Sequence, residues 1–214
     1  MDTTETDSKE PNTTEELLAN FSTQEPSNRV KLLRHALTHF TVAITAFALW
    51  AAADTWLLLT DLAIANFLSI ATAIVAGVVV STVMHEWSHF LGAKLSGSIY
   101  QISKPPELFV FNYDFVNNSE RQFNIMSWSG QAGSIAAIIL LVILIPLDNP
   151  GRAMLVAAAI GSAIFGGVIE WPVLIRVRNS HNPVQELSKI TSPLFNRSMM
   201  IGIAGGLLAW LAIA

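Results

Sequence analysis

The sequence predicts an all-α polytopic membrane protein with about five transmembrane helices and a short β-like hairpin at the membrane interface. Of its 214 residues, 52% are hydrophobic and only 13% are charged, whereas soluble domains carry roughly 25% charged residues. The mean hydropathy is +0.48. In addition, five apolar stretches approach or exceed the roughly 20 residues that a helix needs to cross a bilayer.

The chain divides into a polar N-terminal segment and an apolar remainder. Residues 1–30 contain seven acidic and two basic side chains and are rich in Thr, Ser, Asn and Pro. Such a composition cannot bury a core, so we predict a disordered acidic cytoplasmic tail. Residues 31–214 form one integral membrane domain, whose second helix continues past its span to Ser96. The predicted spans cover residues of about 36–59, 62–84, 125–147, 153–175 and 198–214.

Basic residues orient these spans. Eleven of the twelve Lys and Arg residues precede the first span, or lie between spans two and three or between spans four and five. Alternating spans put all eleven on one side and Arg152 alone on the other, and basic loops remain cytoplasmic. We therefore predict a protein of the bacterial inner membrane, with its N-terminus in the cytoplasm and its C-terminus outside.

Composition also limits the function. Cysteine is absent, which excludes a disulfide framework and a thiolate metal site. The few basic residues are scattered, so nucleic acid is not an expected partner. The lipid bilayer is the expected surrounding, and the oligomeric state is left open.

Residues 107–116, "ELFVFNYDFV", lie between spans two and three and differ in kind from the spans. They are aromatic and β-branched, and Pro105-Pro106 and Asn117-Asn118 bound them. Strand-forming residues between turn residues favour a short strand or hairpin. We predict this hairpin at the inner membrane surface.

The end of the second span carries a candidate metal site, His85-Glu86-Trp87-Ser88-His89. Residues four apart on a helix share one face, so His85 and His89 can bind the same Zn²⁺ ion. Glu86 can then act as the general base toward a zinc-activated water. Ionisable groups in a membrane span are costly and usually mark function. His35 and His39 repeat the spacing, but no acid follows the first, so we interpret them as an interfacial structural pair.

The sequence around this motif resembles that of a known protein family. "HEWSHFLGAKLSGSIY" resembles the first motif of the site-2 protease family of intramembrane zinc metalloproteases. "SGQAGSIAA", residues 129–137, is similar to that family's small-residue segment, although the usual Gly-Pro pair is missing. The similarity covers about residues 75–190. It implies that residues 31–214 are an integral membrane metallopeptidase domain that uses Zn²⁺ to hydrolyse a peptide bond in or near a transmembrane helix of a membrane-protein substrate.

A third protein ligand is expected, because a catalytic zinc usually has three. The family supplies an aspartate from a Leu-Asp-Gly segment that this chain lacks. Asp148 follows span three at the outer face, which separates it from the motif by most of a roughly 30 Å hydrocarbon core. His181, just past span four, is our predicted third ligand, and Glu170, near the inner end of that span, is the alternative. Asn182 is also left open.

Small residues in spans three and four predict close helix contacts around a polar cleft that water can reach. Gln131 and Ser129 are candidates to hold a substrate carbonyl there. Two other functions are left open. The missing aspartate favours a catalytically silent, metal-binding membrane scaffold. A proton-coupled, transporter-like bundle could use Glu170 and the histidines, although the sequence shows no internal repeat of the kind such folds often have.

Overall fold

The computed structural model describes residues 27–105 and 107–214 of the chain. Five of the helices in these residues are long and apolar enough, by length and composition, to cross a membrane. The predicted fold class, an all-α polytopic membrane protein with a small hairpin, is therefore confirmed. The elements are α1 (Asn28–Thr60), α2 (Ala63–Leu95), β1 (Tyr100–Ile102), β2 (Phe111–Tyr113), α3 (Glu120–Leu144), α4 (Pro150–Ser180), α5 (Pro183–Leu187) and α6 (Ser192–Ile213).

The helices extend past most of the predicted span ends. The first helix begins at Asn28, eight residues before the predicted span, and α4 continues through Pro172 to Ser180. The predicted tail of residues 1–30 lies outside the described residues as far as residue 26, and its last three residues already belong to α1.

Local capping fixes where two of the helices begin. The Ser119 side chain accepts a hydrogen bond from the Gln122 backbone N–H, while the Gln122 side chain accepts one from the Ser119 N–H, so α3 starts with a capping box. At the start of α4, Asn149 accepts from the Arg152 N–H at 2.9 Å, and a proline occupies the first helical position. These caps satisfy backbone N–H groups at the first turn of each helix.

The hairpin is an antiparallel pair of β1 and β2, in which Gln101 lies opposite Asn112. Only β2 falls within the predicted stretch of residues 107–116, because β1 precedes Pro105. Rings from both strands, Tyr100 and Phe111, pack against Phe90 of α2 with centroids 5.5 and 5.8 Å apart. This aromatic contact attaches the hairpin to the helix that carries the metal-binding motif.

The second helix is central to the bundle. Ser88 of α2 contacts Gly133 of α3 while Gly92 contacts Ser129, so these two helices run antiparallel. The Ser81 hydroxyl donates to the Ala159 carbonyl of α4 at 3.4 Å, and further along, His85 of α2 meets Glu170 of α4, so α2 and α4 run parallel. The C-terminal ends of α2 and α4 therefore lie at the same end of the bundle, together with the hairpin.

His35 and His39 of α1 are both buried and bind the loop between β1 and β2. Their Nε2 atoms lie 3.1 Å from the Ser103 carbonyl oxygen and 3.0 Å from the Glu107 carbonyl oxygen, respectively. A carbonyl only accepts, so each imidazole donates from Nε2. The Nδ1 atom of His39 accepts the indole N–H of Trp87 at 3.0 Å. This histidine pair thus joins α1, α2 and the hairpin loop.

Candidate metal centre

Three side chains from α2 and α4 converge on one point. The Nε2 atom of His85 lies 2.8 Å from Oε1 of Glu170, and the Nε2 atom of His89 lies 3.4 Å from the same oxygen. The two Nε2 atoms are 2.9 Å apart. These residues form a group that could hold a metal ion. The helical spacing of four brings the histidines onto one face, and the parallel packing of α4 supplies the carboxylate.

The far nitrogen of each histidine is held by α3. The Nδ1 atom of His85 lies 3.0 Å from the Ser134 hydroxyl, and the Nδ1 atom of His89 lies 2.9 Å from the Met126 carbonyl oxygen. Because that carbonyl only accepts, His89 donates from Nδ1, and its neutral form then presents a lone pair at Nε2. Such contacts fix the tautomer and ring orientation of a metal-binding histidine.

The donor arrangement fits the metal ion that the motif predicts. Nitrogen and oxygen ligands at about 2.0–2.2 Å from a tetrahedral zinc lie about 3.3 Å from one another. The three donor atoms of His85, His89 and Glu170 are 2.8–3.4 Å apart. Lone pairs that converge this closely repel one another unless a proton or a cation lies between them. Two imidazoles and a carboxylate are also a usual ligand set for catalytic zinc.

Glycine residues of α3 make room for this arrangement. A Cβ atom at Gly130 would overlap the imidazole ring of His89, and one at Gly133 would overlap Ser88 and the Met84 carbonyl. Overlaps of this kind are not tolerated in packed interiors, so α3 could not approach α2 with larger residues here. The small-residue stretch 129–137 is therefore the surface against which the motif helix packs.

The side chain of Gln131 is part of the site, but it contacts a protein carboxylate. Its Nε2 atom donates to Oε2 of Glu170 at 2.8 Å. It thereby holds the carboxylate while Oε1 faces the two histidines. Ser129, which the sequence grouped with Gln131, donates to the Ile125 carbonyl of its own helix at 2.7 Å. The carbonyl-binding role predicted for the two residues stays a prediction.

Glu86 lies at a cavity that two of the three candidate metal ligands also line. The side chains of Glu86, His89 and Glu170 all border this cavity, whose volume is about 370 Å³. Glu86 is 9% exposed. Most of the remaining wall is apolar and comes from β2, α3, α4 and residues 187–190. The Glu86 carboxylate thus shares one space, with room for a ligand, with two of the three candidate ligands.

The structure does not bring His181 to this group. His181 caps the C-terminus of α4 with φ 51°, its side chain is 73% exposed, and its Nδ1 atom lies 2.6 Å from Oε2 of Glu120. It follows Glu170 by eleven residues, which on a continuous helix is about 16 Å. Asn182 accepts from the Gln185 N–H at 3.1 Å and so caps α5. Asp148 pairs with Arg152 at the other end of α4.

The sequence did not predict the contacts that hold the three candidate ligands from α3, although it singled out Gln131 for another role. Ser134, Gln131 and the Met126 carbonyl all come from α3, the helix with the small-residue segment. Polar side chains within an apolar span were the available signal, but their partners depend on helix packing.

Comparison with known proteins gives no match: no protein-family model, no curated protein and no solved structure matches this chain.

Proposed function

We propose that this protein is a zinc-dependent intramembrane endopeptidase of the site-2 protease type. Its substrates would be membrane proteins, cleaved in or near a transmembrane segment. One observation carries the proposal: the donor atoms of His85, His89 and Glu170 converge beside a cavity that Glu86 also lines. Side chains of the types that a metallopeptidase uses thus lie together at one end of a bundle of apolar helices, which supports the proposal.

Each residue has a role in that reaction. Nε2 of His85, Nε2 of His89 and one oxygen of Glu170 would hold the zinc. When bound, zinc supplies Lewis acidity and brings the pKa of water toward neutrality. The Glu86 carboxylate takes a proton from the water whose oxygen adds to the peptide carbonyl carbon. It then gives that proton to the amide nitrogen as the C–N bond breaks.

The hairpin offers a place for an extended substrate. Ser103 N–H donates to the Val110 carbonyl, and Asp114 N–H donates to the Ile99 carbonyl. Hydrogen-bonded pairs alternate along an antiparallel ladder, so the N–H and C=O groups of Phe111 and Tyr113 point away from β1. Residues 111–113 line the cavity, and the sheet has two strands in the described residues. An unwound substrate segment can add to this edge by strand pairing.

Basic residues support a cytoplasmic location for the site. Eleven of the twelve lie at the end of the bundle that carries the motif or in segments that lead to it, by the alternation of the spans. We therefore propose an inner-membrane protein of a bacterium, with its N-terminus inside and C-terminus outside. Water reaches the site from the cytoplasm, which a hydrolytic reaction within a membrane protein requires.

The catalytic role of Glu86 is tested by the change Glu86→Gln. This variant keeps the shape of the side chain but cannot accept the proton, so cleavage of a membrane-tethered substrate by purified, zinc-loaded protein should fall by about 10²–10⁴-fold. Its zinc content should equal that of the unaltered protein. Glu120→Gln, which changes a carboxylate that contacts only His181 among the predicted site residues, is the matched control and should cleave normally. Unchanged cleavage by Glu86→Gln would exclude the proposed mechanism.

The third ligand is tested by metal analysis of two further variants. Glu170→Gln should lose stoichiometric zinc, because an amide oxygen is a poor zinc ligand, whereas His181→Ala should retain it. The reverse result would establish His181 as the ligand. One zinc per chain without cleavage of any tethered substrate would instead favour the silent scaffold.

A further inference from the structure

We infer that the cavity beside Glu86 is a specificity pocket for one large apolar side chain of the substrate, from a residue next to the bond that is cleaved. The inference rests on the proposed peptidase function and adds a substrate class to it. Membrane-protein segments with Phe, Leu or Met at that position would be preferred over those with Ala or Asp.

One wall of the cavity is aromatic. Phe111 and Tyr113 of β2, Phe115 and Phe123 all line it. Successive ring centroids along this series lie 5.0–6.4 Å apart, so the rings form a continuous surface. Aromatic surfaces favour contact with other rings and with long apolar side chains. The wall therefore selects for large apolar groups.

Much of the remaining lining is aliphatic and forms a second wall, which comes from two segments. Val173 and Leu174 of α4 are buried, and Leu187 and Ile190 pack against them. The nearly buried Glu186 holds this second segment, because it accepts hydrogen bonds from Arg176 and Lys189, each at 2.8 Å. Leu187 is therefore a specificity-determining residue on an anchored support.

The volume is adequate for a residue and its neighbouring backbone. The cavity measures about 370 Å³, whereas an apolar cavity of about 150 Å³ already binds benzene. A phenylalanine or leucine side chain would fill the space between the two walls. An alanine would leave most of it empty and lose the contacts that favour binding.

The polar groups of the cavity identify the occupant as part of a peptide. His89 and Glu170 lie side by side in its lining, together with Glu86. A lipid acyl chain would fill the apolar part but offers no group to these three side chains. A peptide residue fills both, because its carbonyl meets the polar group while its side chain lies between the walls. The edge of β2 that faces away from β1 pairs with no other strand in residues 27–105 and 107–214, and it borders the same space and can hold the adjacent backbone.

The test varies the substrate and the pocket together. A membrane-tethered substrate is prepared with Phe, Leu, Ala or Asp on either side of the cleaved bond. At one of the two positions, Phe or Leu should exceed Ala by about 10–100-fold in kcat/KM. Leu187→Trp, which fills the pocket, should reverse this preference in favour of Ala. Val184→Trp changes an exposed residue of the same short helix that does not line the cavity, and it should leave the preference unchanged.

A second measurement does not depend on cleavage. A substrate that carries a photoreactive phenylalanine analogue at the preferred position should crosslink to Leu187 or its neighbours in the cavity lining of the Glu86→Gln variant, and excess Phe-containing peptide should abolish the crosslink. Cleavage that shows no size preference, or a preference that Leu187→Trp does not alter, would overturn the pocket and leave the peptidase intact. If the substrate crosslinks but the unaltered protein does not cleave it, the peptidase proposal alone is overturned. If there is neither a crosslink nor cleavage, the pocket and the peptidase are both overturned. Displacement of the crosslink by a phospholipid but not by peptide would identify a lipid site instead.

Discussion

Arg152 of α4 forms an ion pair with Asp54 of α1, with Nη2 and Oδ2 2.8 Å apart. Asn149 donates to the other oxygen of the same carboxylate at 2.9 Å. Asp54 is an acid within the first predicted span, and Arg152 is the one basic residue that the alternation of spans separates from the other eleven. These two charges, each unusual for its place in the sequence, therefore pair with each other at the end of the bundle opposite the candidate metal centre.

Removal of one partner should destabilise the fold. Asp54 is 5% exposed, so Asp54→Asn leaves the Arg152 charge without its buried partner and should lower the free energy of unfolding by about 3 kcal/mol. Asp148 also pairs with Arg152 but its side chain is 61% exposed, and Asp148→Asn should cost less than about 1 kcal/mol. Reversible unfolding in mixed detergent micelles measures both. An equal loss in the free energy of unfolding for the two variants would show that burial of the Asp54–Arg152 pair does not contribute to stability.

Gly130 should be required for metal affinity. In Gly130→Ala the new Cβ would displace the His89 ring, and disturbance of a ligand's support typically weakens metal binding by about 10–100-fold. Gly166→Ala is the control, because the nearest atoms to its new Cβ lie at 3.6 Å, an ordinary contact, although one of them belongs to His85. Zinc competition with a chelator compares the two. The proposal that α3 shapes the site fails if both bind zinc equally.

The hydrogen bond from Gln131 should strengthen zinc binding through Glu170. Gln131→Met keeps the length of the side chain but removes the donor 2.8 Å from Oε2 of Glu170, so zinc affinity should fall by about tenfold or more. Ser129→Ala removes a hydroxyl that bonds only within its own helix among the described residues and should have no effect. The same competition titration is the measurement. A larger effect at Ser129 would instead support its role at a substrate carbonyl.

Acid should destabilise the fold through Glu186. Hydrogen bonds from Lys189, and then from Arg176, hold the pKa of the Glu186 carboxyl below its usual value, although desolvation acts in the opposite direction. The unfolded chain takes up this proton at the higher, ordinary pKa. The stabilisation of the fold by Glu186 is therefore complete above the ordinary pKa of the unfolded chain. It is lost as the pH falls through the lowered pKa of the folded protein.

The variant Glu186→Gln isolates this contribution. It should melt below the unaltered protein near pH 7, and the difference should shrink as the pH falls through the lowered pKa of the Glu186 carboxyl in the unaltered protein. Thermal unfolding across this pH range is the measurement. A difference that is the same at every pH would show that the ion pairs of Glu186 do not contribute.

Local features of the site were predictable, and long-range ones were not. His85, Glu86 and His89 follow from a spacing of four on one helix, which depends on backbone geometry alone. Whether Glu170 or His181 lies beside His85 and His89 depends on where α4 ends. Because the helix continues through Pro172, His181 is carried past the end of the bundle and binds Glu120.

Long-range contacts were also not predictable for the hairpin and for the ion pair of Asp54 and Arg152. Residues 111–113 are typical of a strand by composition, and they lie in the predicted stretch. Tyr100–Ile102 lies outside that stretch and gains its partner only when the chain folds back. Asp54 and Arg152 are 98 positions apart. Apolar length and basic loops predicted the number and order of the spans, but side-chain pairing between helices requires the packed structure.

His39 couples the motif helix to the hairpin through a single imidazole. It accepts from Trp87 and lies 3.0 Å from the Glu107 carbonyl, in the loop that supplies Phe109 to the cavity wall. Trp87 occupies one of the two variable positions of the His-Glu-x-x-His pattern, so in this chain that position is not free to vary. A displacement of α1 would break both contacts together. The position of this part of the cavity wall thus depends on a helix that contributes none of the three grouped donor atoms.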